Sequence, residues 1–347
     1  MQNLYTEAIS LLKKLIARSS VSRYEEKTAN LIESFLKENG FEVQRKYNNV
    51  WVESITDKSK PTVLLNSHHD TVKPVSSWKR NPYKPDVEYG KLYGLGSNDA
   101  GASLVSLMMV FIYLSKQEKS TYNYVFLASA EEEVSGKEGI SSVLPEIGKV
   151  DFAIVGEPTA MNMAVAEKGL MVLDCMARGK AGHAARNEGV NAISIALEDI
   201  KKLENYRFQK SSELLGDVKL TVSQINAGTQ HNVVPETCTF VVDVRTNEHY
   251  SNEEVYKIVS ELLKSEVKAR SFRLNSSSIA NEHEIVQKGM KIGLRSYGSP
   301  TLSDQALMNF PSMKIGPGES ARSHTADEFI YLSEIEDGIK TYIELLK

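Results

Sequence analysis

The strongest constraint in this sequence is an apolar run that ends in three consecutive glutamates. Residues 124–130 are mostly apolar, which predicts a buried strand, and Glu131, Glu132 and Glu133 follow directly. Three adjacent carboxylates at such a position repel each other and lose hydration, which is costly unless a cation lies nearby. The triple therefore indicates a metal site, although a solvated acidic turn or helix start would also accommodate it.

Other chemically active side chains also stand where a predicted strand has just ended. Strand-like segments alternate with helical patterns, which predicts an α/β fold with a mainly parallel sheet and flanking helices. His68 follows one such strand, Asp99 lies in a glycine-rich segment before an apolar helix, and Glu157 follows another strand. Because the carboxyl ends of parallel strands lie along one edge of a sheet, we expect these residues to converge.

The pattern of elements changes after residue 168. Residues 170–274 read as strand, helix, two strands, helix and strand, which is the order of a ferredoxin-like α+β unit. Strands alternating with helices then return. We therefore predict one domain of residues 1–168 and 280–347, which contains the predicted metal site, interrupted by an inserted domain of residues 169–279.

Local patterns predict several element boundaries. Ser22 with Glu25, and Ser333 with Glu336, have the spacing of capping boxes at helix starts. Residues 136–147 are predicted to contain a helix, and residues 269–274 to form the last strand of the inserted domain.

Composition limits the classes of partner and the residue types that could bind a metal ion. A net charge of −4 gives no indication of a nucleic-acid or anionic-membrane partner, so a small-molecule partner is expected. The N-terminal residues do not resemble a signal peptide, and no stretch is predicted to span a membrane, so we expect a cytoplasmic protein. Cys175 and Cys238 lie in apolar strand-like segments, which leaves His, Asp and Glu as metal ligands.

The motifs, taken in order, resemble the M20 family of metallohydrolases, which includes acetylornithine deacetylase, succinyl-diaminopimelate desuccinylase, aminoacylase and carboxypeptidase G2. The resemblance covers essentially the whole chain. It is carried by SHHDTV at residues 67–72, GLGSND at 94–99, the glutamate triple, GEP at 156–158, GH at 182–183, and His324 ahead of Asp327 and Glu328. Ser67, Leu95 and Glu131 depart from the commonest residues of the family, which leaves the subfamily open.

The resemblance implies a pair of divalent metal ions, most often zinc, with cobalt as an alternative. His68 and Glu157 would hold one ion, Glu133 and His324 the other, and Asp99 would bridge the two. Glu132 would be the general base that activates a water molecule, and Asp70 would orient His68 by a hydrogen bond. A cis peptide bond between Asp99 and Ala100 is also implied.

In the inserted domain the resemblance implies a lid that forms a homodimer. His183 would reach the partner subunit's site and help to bind the oxyanion, with a surface histidine as the alternative. Arg245 would bind a substrate carboxylate, with a strand-end salt bridge as the alternative, and Asn232 would lie near the substrate. His69 is interpreted as a packed or solvent-facing bystander. His231, His249 and His283 are interpreted as surface residues.

The implied activity is removal of the acyl group from an N-acyl amino acid, of the acetylornithine deacetylase type found in arginine biosynthesis. The alternatives are a succinyl-diaminopimelate desuccinylase of lysine biosynthesis, an M20 peptidase, or an inactive metal-binding protein. A desuccinylase must accommodate a second carboxylate on the acyl side, for which Lys137 and Arg322 are the candidate partners.

Overall fold

The structure, a computed structural model, describes residues 2–347 and divides into two compact units. Unit one comprises the chain up to Val165 together with Ile279–Tyr297 and Ser303–Lys347. Unit two comprises Ala166–Ser278 and Gly298–Leu302.

The bounds of the regular elements follow in chain order. The helices are α1 (Gln2–Ile16), α2 (Glu26–Glu38), α3 (Ala102–Ser115), α4 (Ala192–Asn205), α5 (Asn252–Leu262), α6 (Glu284–Lys291) and α7 (Leu332–Leu346). The strands are β1 (Gln44–Lys46), β2 (Asn49–Ser54), β3 (Thr62–His68), β4 (Asp86–Glu88), β5 (Lys91–Tyr93), β6 (Asn123–Ser129), β7 (Phe152–Val155), β8 (Met163–Glu167), β9 (Met171–Arg178), β10 (Gly182–His183), β11 (Lys219–Ala227), β12 (Val233–Val234), β13 (Thr237–Arg245), β14 (Glu266–Ala269), β15 (Ser277–Ser278), β16 (Ser296–Ser299), β17 (Ser312–Lys314) and β18 (Phe329–Tyr331).

Unit one is built around a sheet with a parallel centre. The strand order is β1-β2-β6-β3-β7-β17-β8, and the pairs β6 with β3, β3 with β7, and β7 with β17 are parallel. Strands β3 and β6 are buried along their whole length, as expected for parallel strands covered by helices. Helix α3 is apolar around almost its whole circumference and packs against α1 and α7. The predicted α/β fold is confirmed.

The register of the parallel strands aligns their carboxyl ends. His68, the last residue of β3, lies opposite Ser129, the last residue of β6, and Asn66 lies opposite Val155 at the end of β7. The residues that follow these strands therefore emerge side by side, as the rule for α/β sheets predicts. They include the glutamate triple and Glu157.

Unit two has the predicted ferredoxin-like sheet. Its four antiparallel strands run in the order β11-β13-β9-β14, and helix α4 packs against β9, β11 and β13. Exposure alternates along β9 and β13, which places one face of the sheet in a core and leaves the other face more accessible. Cys175 and Cys238 are both buried free thiols in this core.

Both predicted capping boxes are wrong, the first because a long-range contact engages Ser22 and the second because the helix begins earlier than predicted. The Ser22 hydroxyl donates to Asp70 Oδ2 at 2.7 Å instead of capping α2, which begins at Glu26. At the other end of the chain, α7 begins at Leu332, and the backbone N–H of Tyr331 donates to Glu334 at 2.9 Å.

Two predicted elements also need correction, as does the expectation that no stretch could span a membrane. Residues 136–147 form turns with a 3₁₀ segment, Ile140–Ser142, and no α-helix, while the last strand of unit two is Glu266–Ala269. The stretch Ser97–Ser115 is long and apolar enough to cross a membrane, contrary to the expectation, but it is 89% buried within the structure. A buried core helix such as α3 meets the same criterion.

Candidate metal centre

His68 lies between two groups of oxygen atoms. Its Nε2 atom lies 3.3 Å from Asp99 Oδ1 and 3.8 Å from Glu157 Oε1. On the other side of the ring, Nδ1 lies 3.0 Å from the Asp70 carbonyl oxygen and 3.4 Å from Asp70 Oδ1. A hydrogen bond from Nδ1 to Asp70 fixes the ring and leaves Nε2 free to bind a metal ion.

His324 faces a second pair of carboxylates. Its Nε2 atom lies 2.9 Å from Glu133 Oε2 and 3.6 Å from Asp99 Oδ2. The two oxygens of Asp99 therefore face different histidines, Oδ1 toward His68 and Oδ2 toward His324. This arrangement suits a carboxylate that bridges two ions. The Asp99–Ala100 peptide bond is cis, as the resemblance implies.

The charges of this cluster fit divalent metal ions. One ligand atom from each of His68, Asp99 and Glu133 lies within 4.8 Å of the others. Burial raises the pKa of Glu157 to about 8 and that of Glu132 well above its usual value, and neighbouring carboxylates add to both shifts. Cations at this position would relieve that repulsion, and imidazole with carboxylate is a ligand set that zinc accepts.

The protonation of the two histidines reflects the same negative field. Burial alone would lower the pKa of His68, but hydrogen bonds to Asp70 and Asp99 raise it well above the usual value. The hydrogen bond to Glu133 raises the pKa of His324 to about 9. A metal ion in the cluster would replace the protons that these values favour.

Asp70 also holds the turn that carries the glutamate triple. Its carboxylate accepts the backbone N–H groups of Glu132 at 3.0 Å and Glu133 at 3.2 Å, in addition to the Ser22 hydroxyl. The Glu131 carboxylate instead accepts the backbone N–H of Glu138 at 3.3 Å. The sequence predicted the contact of Asp70 with His68 but not its hold on the turn.

Two further buried carboxylates were not assigned a role from the sequence. Glu328 accepts three backbone N–H groups from the segment that carries Asp99, and burial raises its pKa to about 8 despite these hydrogen bonds. Asp304 accepts the Ser129 hydroxyl at 2.6 Å, and burial raises its pKa to about 6. Glu328 belongs to a recognised motif, whereas nothing in the sequence distinguishes Asp304.

His69 is a packed residue, one of the two interpretations offered for it. Its Nε2 atom donates to the Asn48 carbonyl at 2.9 Å, and Nδ1 lies 2.9 Å from the Thr28 hydroxyl. Burial lowers the pKa of His69 to about 4, so the ring is neutral at physiological pH.

The predicted substrate residues lie in unit two. His183 is exposed in β10, where its Nδ1 accepts the Ala185 N–H at 3.1 Å. Asn232 is exposed, and its carbonyl accepts the Ala184 N–H at 3.0 Å. Arg245 pairs with Asp243 at 2.8 Å, which is the strand-end salt bridge considered as its alternative. The functional roles of these residues stay predictions.

Three residues of unit one that are not proposed metal ligands were also interpreted from the sequence. Arg322 pairs with both oxygens of Glu334, at 2.7 and 2.8 Å, while Lys137 is exposed. His283 is a helix cap and not a plain surface residue, since its Nδ1 accepts the Ile285 N–H at the start of α6 and its ring packs against Phe152.

The chain matches a known family over most of its length. Residues 64–347 match the peptidase family M20/M25/M40. The chain therefore belongs to this peptidase family.

The relatives carry more than one name. The chain is 26% identical to a succinyl-diaminopimelate desuccinylase of Rickettsia bellii, over 96% of this chain and 95% of that one. It is 27% identical to an acetylornithine deacetylase of Proteus mirabilis, over 94% and 93%. A solved structure, the Bacillus subtilis YXEP protein described as a dinuclear metal binding peptidase from the M20 family, matches with a TM-score of 0.76 and 16% identity, covering 100% of this chain and 98% of that chain. At that identity the structural match supports the fold alone.

Proposed function

We propose that this protein is a dimetal amidohydrolase that removes the acyl group from an N-acyl amino acid. The observation that carries this proposal is the position of Asp99, whose two oxygens face two different histidines. Each histidine has a further carboxylate beside it, Glu157 for His68 and Glu133 for His324. An inactive metal-binding protein is disfavoured because the chain retains both Asp99 and Glu132.

The proposed ligands divide into two sets that share one member. His68 and Glu157 would hold one ion, Glu133 and His324 would hold the other, and Asp99 would be shared by both. Zinc suits this set of imidazole and carboxylate ligands, and cobalt can replace it. When bound, the ions supply Lewis-acid chemistry that polarises an amide carbonyl and lowers the pKa of a water molecule.

Glu132 is the proposed general base. Its backbone N–H is held by Asp70, while its side chain lies in the electrostatic field of His68 and Glu157. The Glu132 carboxylate takes a proton from the attacking water molecule and delivers it to the nitrogen of the leaving amine. Asp70 keeps the tautomer of His68 and the position of the Glu132 turn fixed together.

The acyl group is proposed to be small. Arg322 is engaged by Glu334, which removes one of the two cations considered as partners for a succinyl carboxylate. A carboxylate left unpaired in an apolar slot would cost several kcal/mol, so such a slot would select strongly for an acetyl-type group. Sequence identity does not decide between a desuccinylase and a deacetylase, because relatives of both names are almost equally distant.

A side-by-side assay tests the substrate class. We expect the zinc- or cobalt-loaded enzyme to hydrolyse N-acetylornithine or N-acetylcitrulline with a kcat/KM about tenfold or more above that for N-succinyl-diaminopimelate. E132A protein purified in parallel controls for a contaminating hydrolase. A preference for the succinyl substrate would identify a desuccinylase, and activity on unmodified peptides alone would identify a peptidase.

Unit one is proposed as the catalytic domain and unit two as the domain that forms a homodimer. Strand β11 is an edge of the sheet in unit two, and most of its residues are exposed. Ile225 on this strand is 49% exposed, and an accessible edge strand of this kind suits a symmetric contact with a second copy. In such a dimer, His183 would act at the partner subunit's site.

The dimer proposal predicts the effect of a charged edge residue. We expect the protein to sediment as a dimer, and Ile225→Lys to shift the equilibrium toward the monomer because a buried unpaired ammonium is costly at an interface. Ile55→Lys, at a similarly exposed position in unit one, is the matched control and should leave the dimer intact. A fully active wild-type monomer would remove the role proposed for His183.

A further inference from the structure

Glu328 forms an unusual set of contacts with the segment that carries Asp99. Glu328 is 2% exposed and lies immediately before β18. Its Oε2 atom accepts the N–H of Gly96 at 3.0 Å, and its Oε1 atom accepts the N–H groups of Asn98 at 2.7 Å and Asp99 at 2.9 Å. Successive backbone N–H groups that converge in this way form a nest for an anion, and here the anion is a carboxylate of the same chain.

A second set of hydrogen bonds ties the same segment to the residues before His324. The Asn98 side chain accepts the N–H of Glu319 at 3.0 Å and donates to the Glu319 carbonyl at 3.1 Å. It also donates to the hydroxyl of Ser323, the neighbour of His324, at 3.4 Å. Asn98 is fully buried, so these bonds are shielded from water.

From these contacts we propose that Glu328 is a positioning residue that fixes the backbone of Asp99 and thereby sets the affinity of the metal centre. This inference rests on the dimetal function proposed above. Asp99 is the one ligand shared by both ions, so a small displacement of its backbone would change the distances to both. Glu328 lies four residues beyond His324, and Asn98 contacts Ser323, so the same contacts connect the bridging ligand with a ligand of the second ion.

The chemistry of the contacts requires a carboxylate of this length. Both oxygens of Glu328 accept N–H groups, and only a carboxylate presents acceptors at both positions. Glutamine is almost the same size as glutamate, but one end of its side chain is an NH₂ group. In Glu328→Gln this NH₂ group would face a backbone N–H, so that two donors would meet at one of the two positions. In Glu328→Asp the carboxyl group is retained, but the side chain is one methylene shorter and cannot reach all three donors.

We expect E328Q to bind zinc about ten- to a hundredfold more weakly than the wild type, the usual range when a residue that orients a metal ligand is replaced. The measurement is competition with a chromogenic chelator, together with the bound metal per chain. E328D should lie between the wild type and E328Q. At saturating zinc, the kcat of E328Q should recover toward the wild-type value, which a general loss of folding would not allow.

Asp199 provides a matched control within unit two. Its fully buried carboxylate also accepts backbone N–H groups, from Lys264 at 3.0 Å and from Ser265 at 2.8 Å. D199N and E328Q should therefore both lower the thermal stability, but D199N should leave the affinity for zinc unchanged.

The possible results separate this inference from the proposed function. Wild-type zinc affinity in folded E328Q would overturn the positioning role while leaving the dimetal hydrolase intact. If E328Q fails to fold, E328D decides, and wild-type affinity in that variant would have the same meaning. If the wild-type protein binds no divalent metal, the proposed function fails and this inference fails with it.

Discussion

Prolonged chelation is expected to abolish amide hydrolysis, and added zinc or cobalt is expected to restore it. The expected loss is on the order of a thousandfold or more, because neither polarisation of the carbonyl nor activation of water is available from carboxylates and histidines alone. The experiment is dialysis against a chelator until elemental analysis finds no metal, followed by an assay before and after titration with each ion. Recovery should saturate near two ions per chain.

Removal of the metal ions by the same dialysis should also lower the thermal stability of the protein. Five carboxylates and two histidines crowd the centre when Glu132 and Asp70 are counted with the proposed ligands, so ions that bind the folded chain should raise its melting temperature. Circular dichroism of the metal-free protein distinguishes a folded, inactive enzyme from an unfolded one. An undiminished rate in a folded, metal-free sample would refute the metallohydrolase proposal.

Residues of the metal centre could be predicted where a local sequence pattern marks the end of a strand. His68 ends one strand and Glu157 follows another. Each strand is recognisable from its own apolar residues, and the parallel register then brings the strand ends together. The glutamate triple was found in the same way. The grouping of residues was thus inferred from strand ends, while the assignment of a role to each depended on the family resemblance.

Contacts across long sequence separations were not predictable from these patterns. Ser22 has the spacing of a helix cap, but its hydroxyl bonds to Asp70, which lies 48 residues away. Glu328 contacts amides more than 200 residues earlier, and the carboxylate of Asp304 bonds to Ser129, which lies 175 residues earlier. A sequence window of one element contains no information on such partners, since they are set by tertiary packing.

The helix predicted within residues 136–147 fails for a related reason. Glu131 has a left-handed backbone conformation, and its carbonyl and carboxylate accept N–H groups from Gly136 and Glu138. The chain therefore curls back on the glutamate triple, and the residues that could start a helix are already engaged. The local helical preference is outweighed by the turn that positions Glu132 and Glu133.

Replacement of Glu132 and replacement of Glu133 are expected to have different effects, although the two residues are neighbours. Glu132→Ala should retain its metal and lose on the order of a hundredfold or more in kcat, the usual effect of removing a general base. Glu133→Ala should weaken metal binding, because both oxygens of Glu133 lie within 3.2 Å of His324 Nε2. Metal content and kcat are measured on the same preparations.

The comparison is sharp because the two residues share their backbone support. Asp70 accepts the N–H of each, so alanine at either position leaves the turn held and changes only the side chain. Glu138→Ala, at an exposed position beyond the turn, is the matched control and should alter neither the metal content nor kcat. Normal metal content in E133A would remove Glu133 from the ligands, and a near-normal rate in E132A would require a different general base. If E132A instead lost its metal while E133A lost only turnover, the two roles would have to be exchanged.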